Sequence, residues 1–320
     1  MAWNGANNET KTEMEKVLNM SGMTVEEINE YYQIMQSTLP KVDNKTKLNI
    51  ANSIWYRTGF PVKAEYLDVN KEYFNAEVKE LDFAKAWALD TINNWCARKT
   101  NNLIKKPLDQ ISPDAMMYLI NAIYYKGIWA NKFDKKETRV RTFTNEKNVQ
   151  SDVNMMQKTD TFAYTSDEIA QYLDLPYGNG SFSMTVILPN EGKTTNDVLK
   201  NLSVESWNKT LNNLTTKRVE VKLPRFKVQN TYEMKDILTS MGMIQAFTDE
   251  ADFSGISNLR LFISRVIHST YCEVNEEGTE AAAVTIIEIE LTSMPINPII
   301  FNANRPFLFF IREKNTGVIL

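Results

Sequence analysis

The 320-residue chain contains one histidine, His268, and two cysteines, Cys96 and Cys272. Any histidine-dependent catalytic triad therefore has a single candidate base. His268 sits in "LFISRVIHSTY", whose apolar alternation reads as a largely buried strand, so a hydrogen-bonded core residue is the expectation. The cysteines lie far apart and in no metal-ligand spacing. Unpaired thiols are expected, with a bridge left open. No G-x-S-x-G elbow, H-E-x-x-H, P-loop or G-x-G-x-x-G occurs. Adjacent acids such as Glu276 and Glu277 recur, and each reads equally well as a solvated face. These residue types argue against a conventional active site, a metal centre and a bound cofactor.

Composition narrows the function further. The net charge is −4, with 24% charged residues, which argues against a nucleic-acid partner. No apolar run approaches the roughly 18 residues that cross a membrane. "PIIFNANRPFLFFI" is the best candidate, and it is too short and interrupted by Arg305. A 43% hydrophobic content over this length supports a large core. No composition break divides the chain, so one α+β domain over residues 1–320 is expected. Both ends look cut: the chain enters a helix almost at once and stops in an apolar strand pattern. No signal peptide is visible.

The elements alternate without strict order. Residues 8–18 and 24–38 carry helical apolar spacing, and Thr24 with Glu27 predicts a capping box. Residues 62–75, 90–104, 194–213 and 232–243 also read as helices. Residues 47–56, 172–192, 218–226, 259–274 and 299–320 read as strands. "AMMYLINAIYYKGIW" (115–129) reads as a central strand buried on both faces.

One segment fits neither class. "NEEGTEAAAVTIIEIELTSMP" (275–295) begins like a helix and ends like a strand, with no turn between. At period two it sorts cleanly. Thr279, Ala281, Ala283, Thr285, Ile287, Ile289 and Leu291 share an uncharged face. Glu280, Ala282, Val284, Ile286, Glu288 and Glu290 share the other, which holds every charge. Proline is absent from 276 to 294, so every residue there can donate to a sheet ladder. Such a segment reads as an exposed loop able to become a buried strand, with Gly278 as its hinge. A fixed edge strand or short helix is the plainer alternative.

These residues carry a resemblance. "NEEGTEAAAVT" closely resembles the reactive-centre-loop hinge of inhibitory serpins. "FNANRPFLFFIREKNTGVIL" is similar to the family's C-terminal signature, "NAIYYKGIWANKF" to its third sheet-A strand and breach, and "LPRFKVQNTYEMKDILTSMGM" to its sixth and the following helix. "DFSGIS" (252–257) also fits. The resemblance spans essentially the whole chain. It implies the serpin fold: a large central mixed β-sheet A with sheets B and C, about eight or nine helices and an exposed reactive-centre loop. It also implies that the first helices and the end of the last strand are missing.

The implied function is inhibition of a serine or cysteine protease as a suicide substrate. The protease attacks the loop, an acyl-enzyme forms, and the loop inserts into sheet A before water can release it. The expected hinge is Glu276, Glu277, Gly278, Thr279, Glu280, Ala281, Ala282 and Ala283. Glu276 and Lys235 match a breach salt bridge beside Trp129. Asn121 and His268 match a hydrogen-bonded shutter. The scissile bond follows Leu291, Thr292, Ser293 or Met294. Between Gly278 and Asn304 there is no Lys or Arg, so elastase-, chymotrypsin- or subtilisin-like targets fit better than trypsin-like ones. The helix at 24–38 matches the one that binds heparin in some serpins, but here it holds Glu26, Glu27 and Glu30 and no cation. Heparin binding is therefore not expected. The resemblance further implies a monomer in an extracellular or periplasmic setting. The alternative is a non-inhibitory serpin with a binding, carrier or chaperone role.

Overall fold

A computed structural model describes residues 1–279 and 297–320 of the chain. In chain order the elements are α1 (Asn8–Val17), α2 (Val25–Thr38), β1 (Thr46–Arg57), α3 (Ala64–Phe74), β2 (Ala76–Leu81) and α4 (Ala86–Lys99). There follow β3 (Met117–Ile128), β4 (Arg139–Thr144), β5 (Gln150–Ser166), β6 (Ala170–Pro176), β7 (Phe182–Pro189), α5 (Thr195–Asn201) and α6 (Val204–Asn212). The last are β8 (Thr215–Pro224), β9 (Phe226–Glu233), α7 (Lys235–Ser240), β10 (Ile267–Asn275), β11 (Gly278–Thr279), β12 (Ile299–Asn302) and β13 (Leu308–Glu313). This is a mixed α+β fold with seven α-helices among the described residues.

Two sheets organise the strands among the described residues. A six-stranded mixed sheet runs β2-β1-β3-β11-β10-β9. A seven-stranded sheet runs β12-β8-β5-β6-β7-β13, with β4 paired to β5. The chain divides into two compact units: Met1–Lys41, Leu48–Tyr124 and Val228–Tyr271 form the first, and Val42–Lys47, Tyr125–Lys227 and Cys272–Leu320 the second. In the first unit one apolar cluster forms around Trp3, Ile28, Ile54, Tyr66 and Phe247, and another around Trp55, Ile92 and Trp95. In the second, Ala170, Tyr172, Ile187 and Val198 pack with Trp207 and Phe310. No helix among the described residues is long and apolar enough to cross a membrane.

Local chemistry explains the elements. The Thr24 hydroxyl accepts from the Glu27 amide at 3.2 Å while the Glu27 carboxylate accepts from the Thr24 amide at 2.7 Å, closing the capping box that starts α2. In α4 the buried residues Ala88, Ile92, Trp95 and Cys96 repeat at helical spacing. Strand β7 is buried at every position.

Four expectations change. The run at 115–129 is a strand, but Asn121 and Ile123 are exposed, so alternate side chains of β3 face solvent. A continuous apolar run does not distinguish one wet face from none. Residues 194–213 form two helices, because the Ser203 hydroxyl accepts from the Ser206 amide and starts α6 anew. In 259–274 only the part from Ile267 onward is strand. The paired strands β4 and β5 have no counterpart in the sequence reading, since "QSDVNMMQKTDTFAYTS" is too polar to alternate clearly.

Candidate functional site at the loop hinge

Strand β10 ends at Asn275, the chain turns through Glu276 and Glu277, and β11 returns between two neighbours. Gly278 pairs with Asn275 on one side and Ile128 on the other; Thr279 pairs with Val274 and Gly127. Both pairings are antiparallel. The first two residues after the turn therefore already lie as a strand between β10 and β3.

Glycine is required at 278. Its φ is +138°, a region that side chains disfavour, and an added Cβ would lie 2.1 Å from the Gly127 carbonyl oxygen. Thr279 is buried, and its hydroxyl meets the Tyr177 hydroxyl at 2.7 Å. Tyr177 is fully buried, and burial pushes its phenol well above the ordinary range, so it stays a neutral hydrogen-bonding partner. Its ring stacks on Trp129 at 4.4 Å between centroids and 9° between planes. Phe133 meets Trp129 edge-on. The Trp129 indole N–H donates to the Asn275 carbonyl at 2.9 Å, which fixes the end of β10.

The turn carboxylates are both paired. Glu276 is buried, and its Oε1 accepts from Arg225 Nε at 2.7 Å and from the Thr138 hydroxyl. Burial pushes this carboxyl up, but the Arg225 and Thr138 bonds outweigh it and hold it below the ordinary 4.5. Glu277 Oε2 lies 2.6 Å from Lys132 Nζ, and Oε1 lies 3.3 Å from Lys135 Nζ. The Lys132 bond, opposed by burial and helped by Lys135, holds Glu277 below 4.5 as well. A cavity of about 460 Å³ lies alongside, lined by Lys135, Arg225, Lys227, Glu273, Glu276 and Glu277 among others.

The structure brings together Trp129, Glu276, Glu277, Gly278 and Thr279. It corrects the expected partner of Glu276: the cation is Arg225, not Lys235. Arg225 follows Pro224 at the break between β8 and β9, where its side chain reaches the turn. Lys235 instead opens α7 with its ammonium 5.9 Å from the Phe247 ring centre. Sequence reasoning missed Arg225, Thr138, Lys132, Lys135 and Tyr177. The signal for Arg225 was present: it is the charge that interrupts the alternation of "RVEVKLPRF".

The two expected shutter residues behave differently from each other. Asn121 donates to Asn52 Oδ1 at 2.9 Å, and Asn52 donates in turn to Gln36 and to the Phe74 carbonyl. His268 is exposed and takes no side-chain hydrogen bond among the described residues. The reason is register: Ile267 packs into the cluster of Trp55 and Trp95, so its neighbour points to the other face. Cys96 and Cys272 are free thiols, each pushed up to about 12 by burial, so they are poor nucleophiles. Glu280, Ala281, Ala282 and Ala283 of the hinge, and Leu291, Thr292, Ser293 and Met294 of the bait segment, lie outside the described residues.

Known proteins match this arrangement over the entire chain. The family model for serpins (serine protease inhibitors) matches residues 1–320. The chain belongs to the serpin family. Intracellular coagulation inhibitor 2 of Tachypleus tridentatus is 35% identical over 329 residues, covering 100% of this chain and 80% of that protein. Tengpin, a thermophilic serpin solved in its native state, superposes with a TM-score of 0.91 at 34% identity, over 99% of this chain and 82% of its own. Human thyroxine-binding globulin, solved with thyroxine, gives 0.89 at 28% identity, over 100% of this chain and 86% of its own. Serpins are generally protease inhibitors rather than enzymes, and some members are not inhibitory. The family includes members named as intracellular, so membership alone does not make this serpin extracellular.

Proposed function

We propose that this serpin is an inhibitor that traps its protease as a covalent acyl complex, working as one domain over residues 1–320 and as a monomer. The observation that carries this reading is the double pairing of Gly278 and Thr279 between β3 and β10. After Glu280 come Ala281–Ala283, which are small, and the face of the segment that carries Thr279 is free of charge. Continuing the strand past Thr279 therefore meets no bulky or charged side chain on that face. Successive added residues gain ladder hydrogen bonds to the two neighbouring strands in alternation. Insertion that outruns deacylation would drag the acylated protease away from water. The serpin supplies bait and spring, and the protease supplies the chemistry.

The bait sets the target. Lys and Arg are absent between Gly278 and Asn304, and Leu291–Met294 offers apolar or small side chains. Elastase-, chymotrypsin- or subtilisin-like serine proteases fit, and a trypsin-like pocket built for a cation does not. Helix α2 shows Glu26, Glu27 and Glu30 to solvent, so a polyanion finds no counter-charge there.

The likeness to thyroxine-binding globulin supports a second reading, a non-inhibitory binding serpin. The alanines of the hinge weigh against it. Incubation with a panel of these proteases distinguishes the two. Inhibition gives an SDS-resistant complex with an apolar-specific protease and none with trypsin. Clean cleavage by every protease, without complex, overturns the proposal.

A further inference from the structure

We propose that Glu277 is a positioning residue: through Lys132 it fixes the Asn275–Gly278 turn as a stationary pivot, so that insertion begins at Thr279. The proposal rests on the inhibitory reading above. It concerns a carboxylate and a lysine to which the expected breach pair gives no role.

The turn is tied down at every residue. Asn275 offers its carbonyl to the Trp129 indole at 2.9 Å. The Glu276 carbonyl accepts from the Phe133 amide at 3.0 Å, and the Glu277 carbonyl accepts from the Trp129 amide at 2.8 Å. The Glu277 amide donates back to Asn275 Oδ1 at 2.9 Å. Gly278 is boxed in by the Gly127 carbonyl and the Ile128 backbone. Three hydrogen bonds thus fasten the carbonyls of Asn275, Glu276 and Glu277 to the stretch after β3. A segment held this way does not translate into a sheet; it acts as the point about which the following chain turns.

The side chains decide how firmly. Glu277 Oε2 is buried, and its neighbour is the Lys132 ammonium, which is only 20% exposed. Lys135 reaches the other oxygen but is 61% exposed and lines the cavity beside the turn. Solvent and salt therefore reach Lys135 and reach Lys132 far less. Removing Lys132 strands a buried carboxylate oxygen, whereas removing Lys135 loses a wet contact. The pivot thus depends on Lys132. With the pair broken, Thr279 loses its fixed entry point and its register against Gly127 and Val274.

The test uses thermolysin to cut the loop, because a metalloprotease forms no acyl-enzyme and cannot be trapped. With cleavage fast, tryptophan fluorescence follows conversion, and melting of the product reads the stability gained. We expect Glu277→Gln and Lys132→Gln to convert about tenfold or more slowly than wild type, to the same final melting point. Lys132→Arg restores the charge and should return to within about threefold, and Lys135→Gln should stay within about twofold. Should Glu277→Gln fail to fold, the Lys132 pair of variants carries the comparison. Wild-type speed in Lys132→Gln, or equal slowing by Lys135→Gln, overturns the pivot. Absence of any stability gain in cleaved wild type overturns the inhibitory reading itself, a distinct result.

Discussion

Two carboxylates in the second unit sit in opposite electrostatic settings. Asp174, on β6, is 2% exposed and its partner Arg312, on β13, is 4% exposed. Their contact is 3.0 Å, and the Ser183 and Thr185 hydroxyls donate to the same Asp174 oxygen. At the hinge, Glu276 is just as buried, but the side chain of its cation Arg225 is 40% exposed. The first pair is dry at both ends and ties strands that form a fixed sheet. The second is dry at the acid and wet at the base, and it holds the start of the loop. The same chemistry is shielded from salt when both partners are sealed, and open to it when one partner is left in water.

That contrast is sharpest under substitution. Breaking the sealed pair with Arg312→Met leaves buried Asp174 with only the Lys314 ammonium, 3.9 Å from its other oxygen, as counter-charge, at a cost of about 3–5 kcal/mol. Chemical denaturation should show this loss equally in low and high salt. If the loss shrinks markedly with salt, the pair is not sealed. Gly278→Ala should cost about 2–4 kcal/mol, from a strained φ and a backbone clash together. It should also reduce inhibition out of proportion to the lost stability, since β11 cannot form as it does now.

Acid should separate the regions next. Glu276 and Glu277 both have folded-state pKa values below the ordinary 4.5. Their contribution is complete above that value and is lost as pH falls through and below it. Melting from pH 6 to about pH 3 should therefore lose stability in wild type, with a smaller loss in Glu276→Gln/Glu277→Gln. A double variant that tracks wild type across this range would remove the hinge carboxylates from the account. The smallest effect belongs to Lys71–Asp68, a pair whose side chains are 52% and 70% exposed. Lys71→Met should change stability by less than about 0.5 kcal/mol, and more would mean that exposure is a poor guide here.

The sequence made the hinge legible because its rule is local. Gly278 and the period-two faces are visible in a dozen residues, and so is the Thr24–Glu27 box. What it hid depends on distant chain. Arg225 meets Glu276 across 51 positions, and nothing near Lys235 marked it as the wrong cation. His268 looked buried because its neighbours are apolar, yet alternation alone does not say which of Ile267 and His268 takes the inner face. The polar strand β5 carried no apolar period to read. It exists because β8 pairs with it along Met155–Tyr164, a non-local gain.

The proposed function requires the chain beyond Thr279 to enter the sheet as a strand once the loop is cut. Thermal melting before and after a single cut in the loop tests it most directly. Insertion lengthens β11 with a ladder on each side inside the six-stranded sheet, so the cleaved protein should melt far above the intact one. An unchanged or lower melting point after cleavage would contradict the account.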